Sequence, residues 1–281
     1  MRTTVRFSQV DVFAAGGFSG NPVAVVHDAA GITTEEMLAI TAWTNLSEAT
    51  FLLPPTSDEA DYLVRIFCPG RELPFAGHPT LGTCAAWVAA GGESRDRDVI
   101  VQECTAGLIP IRRTGPRLAF AAPPMTRTGP IEAELLAERL GQLGLAADDV
   151  VESAWIDNGP GWMGLLLDSA DAVLDVALPG VAIPGFDVGL IGPHPPDGVC
   201  AIEVRGLFAD STGSIREDPV TGSLNASAAQ WLTGIGRLST PYVAAQGTML
   251  GRRGRIHVDE ADGELWIGGD TTVSITGTIT V

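Results

Sequence analysis

Residues 79–92 read PTLGTCAAWVAAGG and residues 219–236 read PVTGSLNASAAQWLTGIG, and neither stretch contains a charged side chain. The length and composition of both are typical of helices. A helix at the surface of a protein normally keeps a polar face, whereas one that is apolar or small on all sides is wrapped by other structure. We therefore expect each stretch to form a helix inside a surrounding sheet.

Most of the remaining chain is typical of β-strands. Short apolar or alternating runs are separated by Gly, Pro and Asp, as in β-rich proteins. These runs occupy residues 5–13, 22–26, 49–53, 62–67, 99–103, 109–113, 118–121, 164–167, 201–204, 255–258, 264–267 and 273–281. Two more helices are predicted. One runs from a capping box at Thr33 and Glu36 to about Trp43, and the other occupies residues 131–140.

This arrangement predicts an α+β fold with two pseudo-symmetric halves, each a β-sheet rolled around a central, charge-free helix. The Pro- and Gly-rich residues 122–130 are the best candidate for a boundary. We accordingly expect an N-terminal half at 1–125 and a C-terminal half at 126–281. Whether the C-terminal strand crosses over to the first half is left open.

The beginnings of the two charge-free stretches resemble each other. HPTLGT at residues 78–83 matches DPVTGS at 218–223 at a constant offset of 140 residues. Chance is one explanation, because short matches of Pro and Gly are common. Since the match opens both charge-free helices, we favour an internal repeat.

The two helix starts are candidates for an anion site. The first turn of a helix exposes unpaired N–H groups, and the glycines there, Gly77 and Gly222, let a ligand approach the backbone. We expect His78 and Asp218 to occupy the N-cap positions, with their side chains directed towards a cleft. Asp218 also has the simpler interpretation of an ordinary N-cap, whereas His is a poorer cap.

A reaction that passes through a carbanion needs a base, and Glu48 is the candidate. It stands immediately before the apolar run 49–53. At the edge of a strand it would be a solvated charge. In a cleft of low dielectric constant its pKa would rise, and it would shuttle a proton near neutral pH.

Composition excludes several classes of protein. The formal net charge is −17, which argues against a nucleic-acid partner. The chain contains no lysine, and this excludes pyridoxal phosphate and P-loop chemistry. Four scattered cysteines and four scattered histidines predict buried thiols and no metal site. We expect a cytoplasmic protein, because no signal peptide and no long apolar run is evident.

Five motifs together resemble the PhzF family of phenazine-biosynthesis-like isomerases. They are the N-terminal stretch from DVF at 11–13 to GNPVAVV at 20–26, NLSEATF at 45–51, LPFAGHPTLGT at 73–83, EDPVTGS at 217–223, and QGTMLGR at 246–252. Each motif is weak alone. Their order and spacing across essentially the whole chain make the resemblance specific.

The resemblance implies a diaminopimelate-epimerase-like fold, an active site between the halves, a homodimer, no cofactor and no metal. It implies that Glu48 is the catalytic acid/base, with His78 and Asp218 as further catalytic groups. Gly77, Gly222, Ser223 and Thr83 are the expected substrate-binding residues. The racemases of this fold use one cysteine per half at these helix starts, and the corresponding neighbourhoods here carry His78 and Asp218 instead.

We therefore expect a cofactor-independent isomerase that moves a proton on a small carboxylated substrate resembling trans-2,3-dihydro-3-hydroxyanthranilate. Two alternatives remain open. One is an epimerase or isomerase of another small hydroxy- or amino-acid, because a fold does not fix a substrate. The other is a non-catalytic carboxylate-binding protein, although a binder has no need of the base Glu48.

Overall fold

A computed structural model describes residues 3–181, 183–210 and 212–281. The strands are β1 Thr4–Val12, β2 Asn21–Val26, β3 Ala49–Leu53, β4 Tyr62–Cys68, β5 Arg71–Leu73, β6 Val99–Cys104, β7 Gly107–Thr114, β8 Arg117–Ala121, β9 Arg127–Gly129, β10 Val150–Asp157, β11 Met163–Leu167, β12 Asp187–Pro193, β13 Ile202–Ala209, β14 Ile215–Asp218, β15 Tyr242–Gln246, β16 Gly254–Ala261 and β17 Glu264–Thr280. The α-helices are α1 Thr34–Thr44, α2 Gly77–Ala89, α3 Ala133–Leu143, α4 Ala170–Asp175 and α5 Gly222–Gly234. Short 3₁₀ helices lie at Ala29–Gly31 and Ala147–Asp149.

The chain divides into two compact units. Unit 1 runs up to Ala121 and is completed by Gly268–Val281, and unit 2 is Ala122–Ile267. The expected boundary, after residue 125, lay four residues later than the observed one. Strand β17 begins in unit 2 and ends in unit 1, where it pairs antiparallel with β1. A mixed fold rich in strands and poor in helices is confirmed.

In unit 1 eight strands form a closed ring, and α2 packs against five of them. The order of pairing is β1, β2, β3, β4, β6, β7, β8 and β17, which returns to β1. Helix α2 contacts β1, β2, β3, β6 and β8. Nine of its thirteen residues are buried. The absence of charge in its sequence is explained by this position, because no face of its first turns meets water.

Close contact between α2 and the strands depends on a glycine. A Cβ at Gly82 would lie 2.3 Å from Val23 Cγ1 and 2.9 Å from Val12 Cγ2. We expect Gly82→Ala to lower the free energy of unfolding by about 1–3 kcal/mol, because a well-packed core resists extra methyl groups. The matched control is Gly141→Ala on α3, where a Cβ meets nothing within 4 Å. Urea denaturation should show that Gly141→Ala raises the free energy of unfolding by about 0.5 kcal/mol, because alanine has the higher helix propensity. Equal effects of both substitutions would contradict the packing argument.

In unit 2 the strands pair in the order β9, β10, β11, β12, β13, β15 and β16. Helix α5 packs against glycines of three of these strands. A Cβ at Gly189 would lie 2.4 Å from Leu224 Cδ1, and one at Gly164 would lie 2.9 Å from the Trp231 ring. Nine of the thirteen residues of α5 are buried. The second charge-free stretch therefore also forms a largely buried helix.

The predicted helix starts were wrong by two to three residues, in opposite directions. Helix α2 begins at Gly77 with Ala76 as its N-cap, so Pro79 is its third residue rather than its first. Proline is tolerated there because the first N–H groups of a helix have no acceptor within it. Helix α5 begins only at Gly222, because Thr221 keeps an extended conformation, with φ −111° and ψ 104°.

Candidate active site

Glu48 and His78 lie together in unit 1. Glu48 directly precedes β3, and His78 is the second residue of α2. The distance from Glu48 Oε2 to His78 Nε2 is 3.3 Å, within ion-pair range, although the two groups are not aligned as a hydrogen bond. Their side chains are 17% and 6% exposed. A carboxylate held against an imidazole inside the protein is an arrangement suited to proton transfer.

Asn21 holds the other side of the His78 ring. It is the first residue of β2, it is buried, and its Nδ2 lies 3.4 Å from His78 Nδ1. Gly20 places it there with φ +69°, and a Cβ on Gly20 would lie 2.1 Å from the carbonyl oxygen of Val12. Because the amide NH₂ is a donor, Nδ1 accepts and the ring proton belongs on Nε2, facing Glu48.

Burial keeps His78 neutral. Loss of solvation lowers the pKa of its imidazole from 6.5 to about 3. His78 is therefore a neutral hydrogen-bonding group at physiological pH.

The same pKa shift predicts a pH-dependent stability. His78 takes up a proton near pH 6.5 when the chain is unfolded but only near pH 3 when it is folded. The contribution of His78 to the free energy of unfolding is therefore complete above the pKa of the unfolded chain and is lost as the pH falls below it. We expect wild-type protein to lose about 2 kcal/mol of unfolding free energy between pH 7 and pH 5 through this group. In urea titrations His78→Gln should lack this part of the slope; an unchanged slope would contradict the assignment.

In unit 2 Asp218 and Thr221 form a turn that precedes α5. Thr221 Oγ1 donates to Asp218 Oδ2 at 2.6 Å, and the Thr221 N–H donates to Gln246 Oε1 at 3.0 Å. Gln246 Nε2 donates in turn to the Asp218 carbonyl oxygen and to Thr221 Oγ1. Asn225 also donates to Gln246 Oε1, at 2.7 Å. This network fixes the direction in which α5 begins.

The N-cap positions predicted for His78 and Asp218 were wrong. The N-caps are Ala76 and Thr221, and Asp218 is the last residue of β14. The two helices begin 145 residues apart, with Gly77 and Gly222 as their first residues and His78 and Ser223 as their second. A signal for this register was present in the sequence as E-x-P-x-x-G at 72–77 and 217–222. The match of HPTLGT with DPVTGS, at an offset of 140, does not align the two helix starts.

Ser223 is the second residue of α5, and its Oγ accepts a hydrogen bond from Trp162 Nε1 at 3.0 Å. Trp162, Gln246 and Asn21 are not among the site residues expected from the sequence. Thr83 lies deeper in α2, fully buried, and its hydroxyl donates to Thr50 Oγ1 at 2.8 Å. The structure gives Thr83 a role in helix–strand packing.

Neither helix start carries a thiol. The cysteine nearest to the start of α2 is Cys84, which is fully buried, and burial raises its pKa to about 12. Such a thiol is not a nucleophile or base near neutral pH. Among residues 3–181, 183–210 and 212–281, no three His, Cys, Asp or Glu side chains are grouped so as to hold a metal ion. No helix in the described part of the chain is long and apolar enough to cross a membrane.

Residues 10–281 match the sequence model of the PhzC-PhzF family, described as phenazine biosynthesis-like protein. The chain belongs to this family. The resemblance drawn from the five motifs is thereby confirmed.

Relatives within the PhzC-PhzF family carry different names. The chain is 33% identical to antisense-enhancing sequence 1 of Schizosaccharomyces pombe, with 96% of this chain and 97% of the relative covered. It is 31% identical to an uncharacterized isomerase of Pasteurella multocida, with 96% and 92% covered. A stretch of 105 residues is 44% identical to trans-2,3-dihydro-3-hydroxyanthranilate isomerase of Pseudomonas aeruginosa, with 37% and 36% covered. The protein is an isomerase of the PhzC-PhzF family.

Solved structures agree on the fold. A PhzF-family protein of Bacillus anthracis matches with a TM-score of 0.82 at 21% identity, with 99% of this chain and 100% of the other covered. A hydroxyproline epimerase of Agrobacterium vitis matches with a TM-score of 0.59 at 15% identity, with 100% and 94% covered. At these identities the likeness concerns the fold alone.

Proposed function

We propose that this protein is a cofactor-independent isomerase that moves a proton between two carbons of a small carboxylated substrate. The observation that carries the proposal is the carboxylate of Glu48 beside the buried, neutral imidazole of His78. The relatives named trans-2,3-dihydro-3-hydroxyanthranilate isomerase make that compound the first candidate substrate.

In the proposed reaction Glu48 removes a proton from an activated carbon and returns it to another. The electron pair of the broken C–H bond is delocalised over the substrate until the new C–H bond forms, so no net oxidation occurs. His78 offers its Nε2–H to the substrate or to Glu48. The first-turn N–H groups of α2, beginning at Gly77, stabilise the negative charge that develops.

We further propose that the two units are pseudo-symmetric repeats, each built around its charge-free helix. In unit 1, β1 and β2 are antiparallel, β2 and β3 are parallel, and β4 is antiparallel to both β3 and the short strand β5 that precedes α2. In unit 2, β10 to β14 pair in the same sequence of directions before α5. The shared E-x-P-x-x-G pattern supports the same origin. A substrate site that uses both helix starts, with Asp218 and Ser223 contributed by unit 2, stays a prediction of the resemblance. So does the homodimer.

The experiment is proton NMR of trans-2,3-dihydro-3-hydroxyanthranilate in heavy water with the wild-type protein. Rearrangement of the ring protons is the expected result. Solvent exchange at carbon in another small carboxylate, without turnover of this compound, would transfer the proposal to an epimerase or isomerase of that carboxylate. Binding of carboxylates with no exchange at any carbon would overturn catalysis and leave a carboxylate-binding protein.

A further inference from the structure

Ser223 is held at two points by one loop of unit 2. Trp162 Nε1 donates to Ser223 Oγ at 3.0 Å, and Asn158 Nδ2 donates to the Ser223 carbonyl oxygen at 2.9 Å. Trp162 is only 3% exposed. The loop therefore fixes both the side chain and the backbone of this residue in the first turn of α5.

The loop itself is rigidly built. Asp157 Oδ1 accepts from the Gly159 N–H at 2.7 Å and from the Gly161 N–H at 2.6 Å. Both glycines have positive φ, 138° and 100°, conformations that residues with side chains rarely adopt. The carbonyl oxygen of Trp162 accepts from the Ile156 N–H at 3.0 Å, which closes the hairpin between β10 and β11. Trp162 is thus placed by backbone geometry and not by contact with Ser223 alone.

The hydrogen bond from Trp162 determines where the hydroxyl proton of Ser223 can point. An indole N–H is only a donor, so Ser223 Oγ must act as the acceptor in this pair. The hydroxyl proton of Ser223 is then directed to a different acceptor.

Unit 1 contains the same arrangement with different residues. His78 takes the place of Ser223, and Asn21 takes the place of Trp162 as the donor beside the second strand of an antiparallel pair. In both units a side-chain N–H occupies the acceptor of the second helical residue. Each residue keeps a proton to donate elsewhere, the Nε2–H of His78 or the O–H of Ser223, and Ser223 Oγ also keeps its second lone pair.

We propose that Trp162 is a positioning residue that makes Ser223 a hydrogen-bond donor to the carboxylate of the substrate. This inference rests on the proposed function and on the expectation, drawn from the family resemblance, that Ser223 contacts the substrate. A carboxylate only accepts hydrogen bonds, so a serine whose oxygen is held by the indole N–H, with its own proton directed elsewhere, is oriented to donate to that carboxylate.

The test compares Trp162→Phe, Ser223→Ala and the double variant. Trp162→Phe keeps an aromatic ring but loses the N–H. We expect it to raise KM about three- to ten-fold and to leave kcat and its pH profile unchanged, because the bond is made equally to substrate and transition state. The double variant should be no worse than Ser223→Ala. Additive losses, or an unchanged KM in Trp162→Phe, would overturn the proposal.

Trp155→Phe is the matched control, because Trp155 Nε1 donates to Glu132 Oε2 at 3.1 Å, a similar bond in a different setting. It should leave KM unchanged. The indole N–H resonance of Trp162 should move in Ser223→Ala while that of Trp155 does not; a stationary Trp162 resonance overturns the inference.

Failure of the proposed function and failure of the positioning role of Trp162 give different results. If wild-type protein exchanges no proton at carbon in any small carboxylate, the proposed function fails, and affinity for anthranilate measured by NMR takes the place of KM. Weaker anthranilate binding by both Trp162→Phe and Ser223→Ala would still support the positioning role. Unchanged binding by either variant would overturn it.

Discussion

Glu48→Gln should lower kcat/KM for trans-2,3-dihydro-3-hydroxyanthranilate by about 10²–10⁴-fold, the usual contribution of a general acid/base. Glutamine has the same shape as glutamate and can still contact His78 Nε2, but its amide cannot take up a proton from carbon. Substrate affinity should change far less than turnover, since the lost step is chemical. Proton NMR in heavy water should show that deuterium incorporation into the product falls together with turnover.

The control is Glu93→Gln, an exposed glutamate in the same unit. It should keep full activity. Circular dichroism and thermal denaturation of Glu48→Gln should match those of the wild type, so that loss of activity is not loss of fold. Full turnover by a folded Glu48→Gln protein would exclude Glu48 as the base and would require another group to move the proton.

Arg205→Met should destabilise unit 2 by about 3–5 kcal/mol, because it leaves the buried carboxylate of Glu217 without its cation. Both side chains of this pair are only 2% exposed, and Arg205 Nη2 lies 2.8 Å from Glu217 Oε2. Arg205 Nη1 also donates to the carbonyl oxygens of Val173 and Val176 at the end of α4. The substitution therefore removes a charge partner and the contact that ties α4 to β13.

A more exposed Arg–Glu pair in unit 1 is the matched control. Arg65 and Glu72 lie 2.6 Å apart, but their side chains are 28% and 31% exposed. Arg65→Met should cost less than about 1 kcal/mol, because water solvates the remaining carboxylate. Urea denaturation measures the loss of unfolding free energy in both Arg65→Met and Arg205→Met. The double variant Arg205→Met/Glu217→Leu should recover much of the loss, since it removes both buried charges. Equal losses from Arg65→Met and Arg205→Met would refute the burial argument.

The sequence predicted helices and strands well where a single local pattern, such as a capping box or an alternation of apolar residues, determines the element. The capping box at Thr33 and Glu36 is present, with both reciprocal hydrogen bonds, and α1 ends at Thr44. Alternation and β-branched residues predicted Ala49–Leu53 with its exact bounds. The strands that were missed include β5, β9 and β14, which have three to four residues and are too short to show a period of two.

The candidate site was anticipated in part. Glu48 and His78 stand thirty residues apart in the sequence, and their pairing was expected only through the family resemblance. The exact helix starts were missed because hydrogen bonds from distant residues decide them. Gln246 binds the Thr221 N–H from β15, twenty-five positions away, and keeps Thr221 out of the helix. No local pattern contains that contact.

By itself the sequence determined that two helices without charge must be largely buried in a strand-rich protein, because a helix with no charged face avoids water on all sides. It also determined the family, through five motifs in order. Only the tertiary structure decided which atoms face each other: Glu48 against His78, Asn21 behind the imidazole, and Trp162 on Ser223. Those partners come from separate strands, helices and loops, and the hydrogen bonds that fix proton positions form only after these elements have packed together.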